Sequence, residues 1–187
     1  MKSVSVAGFL FAMAIVGTAF QPSSLTPIDY RKLGDSLSLQ AQQVLVRNLL
    51  GAIQKGGSDY AVDFCSERAM PLTDSLSRKY RVEIQRISAK NRNPKNAASL
   101  FERKLLDQFS SANSPKDTLL KTPNGYIYYK PIRVAMPTCL QCHGNPQQDI
   151  EATTLKTIQR KYRFDKATGY AMGELRGAWK LMFLTKQ

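Results

Sequence analysis

Two of the three cysteines in this chain and its only histidine fall within five consecutive positions, Cys139-Leu140-Gln141-Cys142-His143. C-x-x-C-H is the attachment pattern of a c-type haem. Two thiols add to the two vinyl groups of the macrocycle, and a two-residue spacer on a short helical turn matches the distance between those vinyls. The next residue then lies beneath the iron, where an imidazole binds it. A chain with this segment must fold around a flat group tethered at that point. Two other uses of such cysteines are a redox pair and a structural zinc site. A thioredoxin-like C-x-x-C has no further support along the chain. A structural zinc site needs about four ligands, whereas adjacent Cys142 and His143 do not readily face one ion and only Cys65 is left over.

The N-terminus bears on the same point. "MKSVSVAGFLFAMAIVGTAF" carries one lysine, an apolar run from Val6 to Val16 and the small residues Gly17-Thr18-Ala19. These features predict a secretory signal peptide over residues 1–19, cut after Ala19. The alternative is an uncleaved membrane anchor, for which the run is short against a span of roughly 20 residues. Export predicts a periplasmic protein, the compartment where covalent haem attachment is completed by dedicated machinery. Three cysteines also make a disulfide scaffold a poor description, since one thiol would be left over in an oxidising compartment.

Lys and Arg number 27 against 14 Asp and Glu. Such a surplus suits nucleic acid, an anionic membrane or an acidic protein partner. Export argues against nucleic acid, and membrane association is expected only if the signal segment stays uncleaved. The basic residues are scattered, which fits a solvated surface that steers acidic partners.

After the lead "QPSSLTP", with residues 20–36 expected to be flexible, the chain predicts one domain over 37–187. Leu37, Ala41, Val44, Leu45, Leu49 and Ile53 recur at helical spacing, and Gly56-Gly57 ends that helix. A second helix spans about Asp59 to Lys79, with Ala61, Cys65, Ala69, Leu72 and Leu76 on one stripe. "YRVEIQRISAK" alternates as a strand, and "NRNPKN" is a turn. Ser99 and Glu102 have capping-box spacing before a helical face of Phe101, Leu105, Leu106 and Phe109. "GYIYYKPIRVA" is a strand that Pro131 confines to an edge or bulge, and "ELRGAWKLMFL" is a last strand. The order of elements predicts an α+β domain, an antiparallel sheet flanked by helices.

With one histidine, already assigned below the iron, the sixth position falls to Cys, Met, Lys, Tyr, water or nothing. Met70, Met136, Met172 and Met182 have no distinguishing context, and Met136 lies three residues before Cys139. Cys65 sits on the inward stripe of the second helix between Ala61 and Ala69, where small neighbours leave room for a flat ring. An inert buried cysteine remains the other reading. Arg86 and Arg92 are candidate partners for haem propionates, because guanidinium matches carboxylate geometry. Tyr126, Tyr128 and Tyr129 are expected to build core and sheet surface.

The chain resembles a family of small exported c-type haem proteins with a PAS-like fold, long catalogued as a domain of unknown function. The resemblance rests on "AVDFCSERA", "RISAKNRNPKN", "YYKPI", "CLQCHGNP" and "DKATGYAMGELRGAW", and it covers about residues 40 to 185. "NAASLFE" lacks the proline and tryptophan often found after the Asn-Pro turn. The resemblance implies a PAS-like sheet carrying one covalent haem c, with iron held by His143 and Cys65. A thiolate ligand favours ferric iron and a low reduction potential. Filled axial positions argue against a peroxidase and against enzymatic activity. Redox or ligand sensing and electron transfer to an acidic partner are the two functions expected.

Overall fold

The computed structural model describes residues 25–185, so the expected signal segment lies outside the described residues. Helix α1 (Pro27–Tyr80) begins inside the stretch expected to be a flexible lead. The reason is local. The Thr26 hydroxyl accepts from the Asp29 backbone N–H, and the Asp29 carboxylate accepts from the Thr26 N–H at 2.9 Å, a complete capping box. Pro27 at the first helical position loses no hydrogen bond there. Tyr30, Gly34, Leu37, Ser38 and Ala41 form the buried face of this segment. Its small and polar members hid the pattern. Gly34 is required, because a Cβ would sit 2.4 Å from the Tyr128 ring.

Gly56-Gly57 was expected to end the first helix, and there the backbone leaves helical geometry. Gly56 has φ −161° and Gly57 has φ 77°, a left-handed value that suits glycine. The chain resumes a helix at once, so α1 is two arms meeting at a kink. Pro71 interrupts the hydrogen-bond ladder of the second arm. Arg81, at φ 54°, ends it.

Strands β1 (Glu83–Ile87), β2 (Thr118–Thr122), β3 (Gly125–Arg133) and β4 (Leu175–Leu184) form one antiparallel sheet in the order β1-β4-β3-β2. Its first face packs on the N-terminal arm of α1 through Leu37, Ala41, Tyr128, Trp179, Leu181 and Phe183. Its second face packs on helix α2 (Leu100–Ser110) through Leu105, Leu106, Phe109, Tyr129 and Ala178. The α+β expectation holds.

The Ser99–Glu102 capping box is present, yet Phe101 is exposed and Glu102 is buried in its place. Lys180 donates to Glu102 at 2.7 Å and Tyr129 at 3.4 Å, which compensates the buried carboxylate. Pro131 lies past the stretch Gly125–Tyr129 that β2 pairs, so one flank of β3 is an edge there.

Helices α3 (Pro137–His143) and α4 (Ala152–Lys161) close the structure beside the second arm of α1. Ser58 and Thr154 share a buried hydroxyl–hydroxyl bond of 2.7 Å. Val62, Ile150 and Ile158 form a small core against which Cys142 and Tyr162 pack. Lys161 lies 3.1 Å from Asp63. These contacts hold the Cys65 arm over α3. Among the described residues, no helix is long and apolar enough to cross a membrane.

Candidate functional site

All six residues selected from the sequence line one cleft: Cys65, Arg86, Arg92, Cys139, Cys142 and His143. They come from the second arm of α1, from β1 and the turn after it, and from α3. The cleft, with its open mouth, encloses about 1500 Å³. Leu45, Val46, Leu49 and Ile53 from the first arm make an apolar wall. The kink at Gly57 lets both arms border the same space.

Helix α3 places Cys139, Cys142 and His143 on the cleft, and none of the three cysteines is in a disulfide. Burial pushes the Cys142 thiol up to about 11, with Arg92 opposing. His143 Nδ1 is 2.7 Å from the Ala167 carbonyl oxygen. A carbonyl only accepts, so Nδ1 carries the proton and Nε2 keeps a free lone pair. Such a bond sets tautomer and ring orientation for a metal-ligating histidine. Burial holds the ring's pKa well below its ordinary value, and nearby Arg176 and Arg92 add to this. The imidazole is therefore neutral, as ligation requires.

The turn after the motif is built for close packing. A Cβ on Gly144 would lie 2.5 Å from the Asp149 carboxylate, which accepts from the Asn145 backbone N–H at 2.7 Å. The loop returning from α4 straps back through Gly169 N–H to Gly144 O at 2.8 Å and Tyr170 N–H to His143 O at 2.9 Å.

Cys65 faces the cleft between Ala61 and Ala69, which line it too. Burial raises its thiol pKa, while Arg86 and Arg92 oppose the rise. The thiol is protonated by default, and the two guanidiniums would favour its thiolate once a metal claims it.

The two expected propionate partners separate. Arg92 is committed to the protein: Nε and Nη2 lie 3.1 and 3.2 Å from the two Asp165 carboxylate oxygens. Nη2 also donates to Cys142 O at 2.6 Å and Ala167 O at 3.3 Å. It knots α3 to the loop that orients His143, and its carboxylate partner within the protein is Asp165. Arg86 is half-buried on β1 and lines the cleft, and burial lowers its pKa.

Two cleft residues were missed from the sequence. Tyr162, at the end of α4, borders the cleft, and burial raises its pKa to about 12, with Cys65 contributing. Arg176 borders it from β4, and burial lowers its pKa to about 10. Neither has a spacing signal; each is brought in by tertiary packing.

A slot with one apolar wall, two thiols and an imidazole on a short helix, a third thiol and half-buried guanidiniums suits a flat, apolar macrocycle bearing carboxylates. Two buried polar atoms bordering it, Asn96 Oδ1 and Arg176 Nε, have no hydrogen-bond partner in the protein. They mark where a polar group of a ligand fits. Among the described residues, no group of three or more His, Cys, Asp or Glu side chains is placed to hold a bare metal ion.

A four-stranded antiparallel sheet flanked by helices, with a C-x-x-C-H helix opening on an internal cleft, defines the α+β class of this domain. The family profile Tll0287-like matches residues 13–183, and the chain belongs to that family. Among solved structures, the crystal structure of the cyanobacterial heme-protein Tll0287 superposes with a TM-score of 0.61 at 22% identity, covering 83% of this chain and 96% of that one. This likeness concerns the fold. No curated protein matches the chain.

Proposed function

We propose that this chain is an exported c-type haem protein of the periplasm that senses redox state or a small ligand. The observation that carries the proposal is the convergence of Cys139, Cys142, His143 and Cys65 on one cleft. The haem, when bound, supplies an iron that exchanges one electron. Cys139 and Cys142 provide the thiols for the two thioether links. His143 offers Nε2, its ring held by Ala167 and braced by Arg92. Cys65 would offer a thiolate from the second arm of α1. Haem binding by the similar protein Tll0287 supports the cofactor.

What favours sensing is the placement of Cys65. Its arm of α1 is bounded by the Gly56-Gly57 kink and carries Pro71, two points where the helical ladder is weak. An arm tied to iron through one sulfur and hinged at Gly57 has two positions available to it, bound and released. Electron transfer to an acidic partner is the second reading, favoured by the net charge of +13. Neither reading includes catalysis.

The test is the spectrum of reduced, haem-matured protein under carbon monoxide. Rapid adduct formation supports sensing through release of Cys65. A reversible couple with no adduct supports the carrier.

A further inference from the structure

β3 and β4 change register at one point. Ile132 pairs with Gly177 and Arg133 with Leu175, so Arg176 is the extra residue of a β-bulge. Bulges re-aim a side chain and recur beside functional sites. Strand alternation puts Ala178 on the α2 face and Trp179 on the α1 face. A regular strand would send Arg176 the way of Ala178. The bulge brings it to the border of the cleft instead. Gly177 makes room for the bend, since a Cβ there would lie 2.3 Å from the Ile87 carbonyl oxygen.

The side chain is held firmly. Nη1 donates to Ser88 Oγ at 2.9 Å and to Lys90 O at 3.2 Å, and Ser88 Oγ donates back to Arg176 O at 2.9 Å. The guanidinium also lies over the Tyr170 ring, 5.5 Å from its centroid. Nε alone is buried without an acceptor. Asn96 borders the same cleft from the turn after β1, and its backbone carbonyl accepts from Ser88 N–H at 2.9 Å. Ser88 thus links both residues. The Asn96 side-chain amide is likewise buried with an unused polar atom, and a half-turn of that amide presents N–H instead of oxygen. A guanidinium N–H and an amide that turns to present N–H, each with a buried unsatisfied atom on the same cleft, suit a carboxylate.

We propose that Arg176 Nε and Asn96 receive a propionate carboxylate of the haem, with Arg86 adding charge. The inference rests on the haem reading above. It assigns the propionate edge of the macrocycle to the side of the cleft bordered by Arg176 and Asn96. Arg176 is here a positioning residue.

The test uses ferric, haem-matured protein and the resonance Raman propionate-bending band, which rises with hydrogen bonding to the carboxylate. Arg176→Lys keeps the charge and loses Nε; Asn96→Ala leaves Arg176 intact. Both are expected to shift the band downward. Intact mass is measured on each sample. One attached haem with a band unmoved in both Arg176→Lys and Asn96→Ala overturns the propionate seat and leaves the haem reading standing. A bare polypeptide mass overturns both.

Discussion

Arg92 and Asp165, 73 positions apart in sequence, meet in a two-pronged ion pair with only 12% and 11% of their side chains exposed. The pair joins the turn after β1 to the loop that carries Ala167, the acceptor for His143 Nδ1. Removing one partner of a buried pair costs about 3–5 kcal/mol, because the other charge is left uncompensated. Arg92→Ala is expected to lower Tm by roughly 10 °C in a domain of this size. Calorimetry on haem-matured protein checks it. The same variant should add a high-spin fraction to the ferric spectrum as His143 loses its fixed orientation.

Cys65 carries the sixth ligand in this account. Cys65→Ala should abolish the low-spin thiolate signature of ferric protein in electron paramagnetic resonance while leaving the haem attached. An unchanged signature contradicts the assignment. Cys65→Ser should behave like Cys65→Ala, since an alcohol is a far weaker donor to iron.

Glu102 links stability to pH. Burial alone would raise its pKa, but bonds from Lys180 and the Ser99 backbone N–H outweigh burial and bring it below the ordinary value of 4.5. A folded value below the unfolded one means that the carboxylate stabilises the fold above about pH 4.5. That stabilisation fades as pH falls through the lowered value. Glu102→Gln should therefore be less stable than the parent at pH 7. The difference should shrink toward pH 3 in urea titrations.

Gly34 faces the Tyr128 ring at a distance that no Cβ tolerates. Tyr128 is fully buried, so the ring has nowhere to retreat. Gly34→Ala is expected to cost about 1–3 kcal/mol by overpacking, read as a lower urea midpoint. Gly51→Ala, on the same helix with open space around it, should be neutral or slightly stabilising.

The parts of this molecule written in local pattern were legible in the sequence. The Cys139–His143 helix, the Ser99 capping box, the strand around Trp179 and the Ala61–Cys65–Ala69 stripe all depend on short-range spacing. The start of α1 was missed because its buried face uses Gly34 and Ser38, which carry no hydrophobic signal. Helical spacing puts Phe101 on the inward face with Leu105 and Phe109, whereas the capping box turns Glu102 into the core. Arg92 borders the cleft, while its pairing with Asp165 has no local signal because the two are 73 positions apart. Arg176 was invisible for a deeper reason: a bulge is a property of register between two strands, and one strand's sequence does not contain it.

The claim on which the rest depends is that Cys139 and Cys142 hold one haem covalently. Intact-mass spectrometry of the chain, expressed with haem-attachment machinery and recovered after export, tests it directly. The account predicts the mass of the processed polypeptide plus one haem, a mass that denaturant and acid-acetone extraction leave unchanged. A polypeptide mass with no addition, from material that is correctly exported, would contradict it.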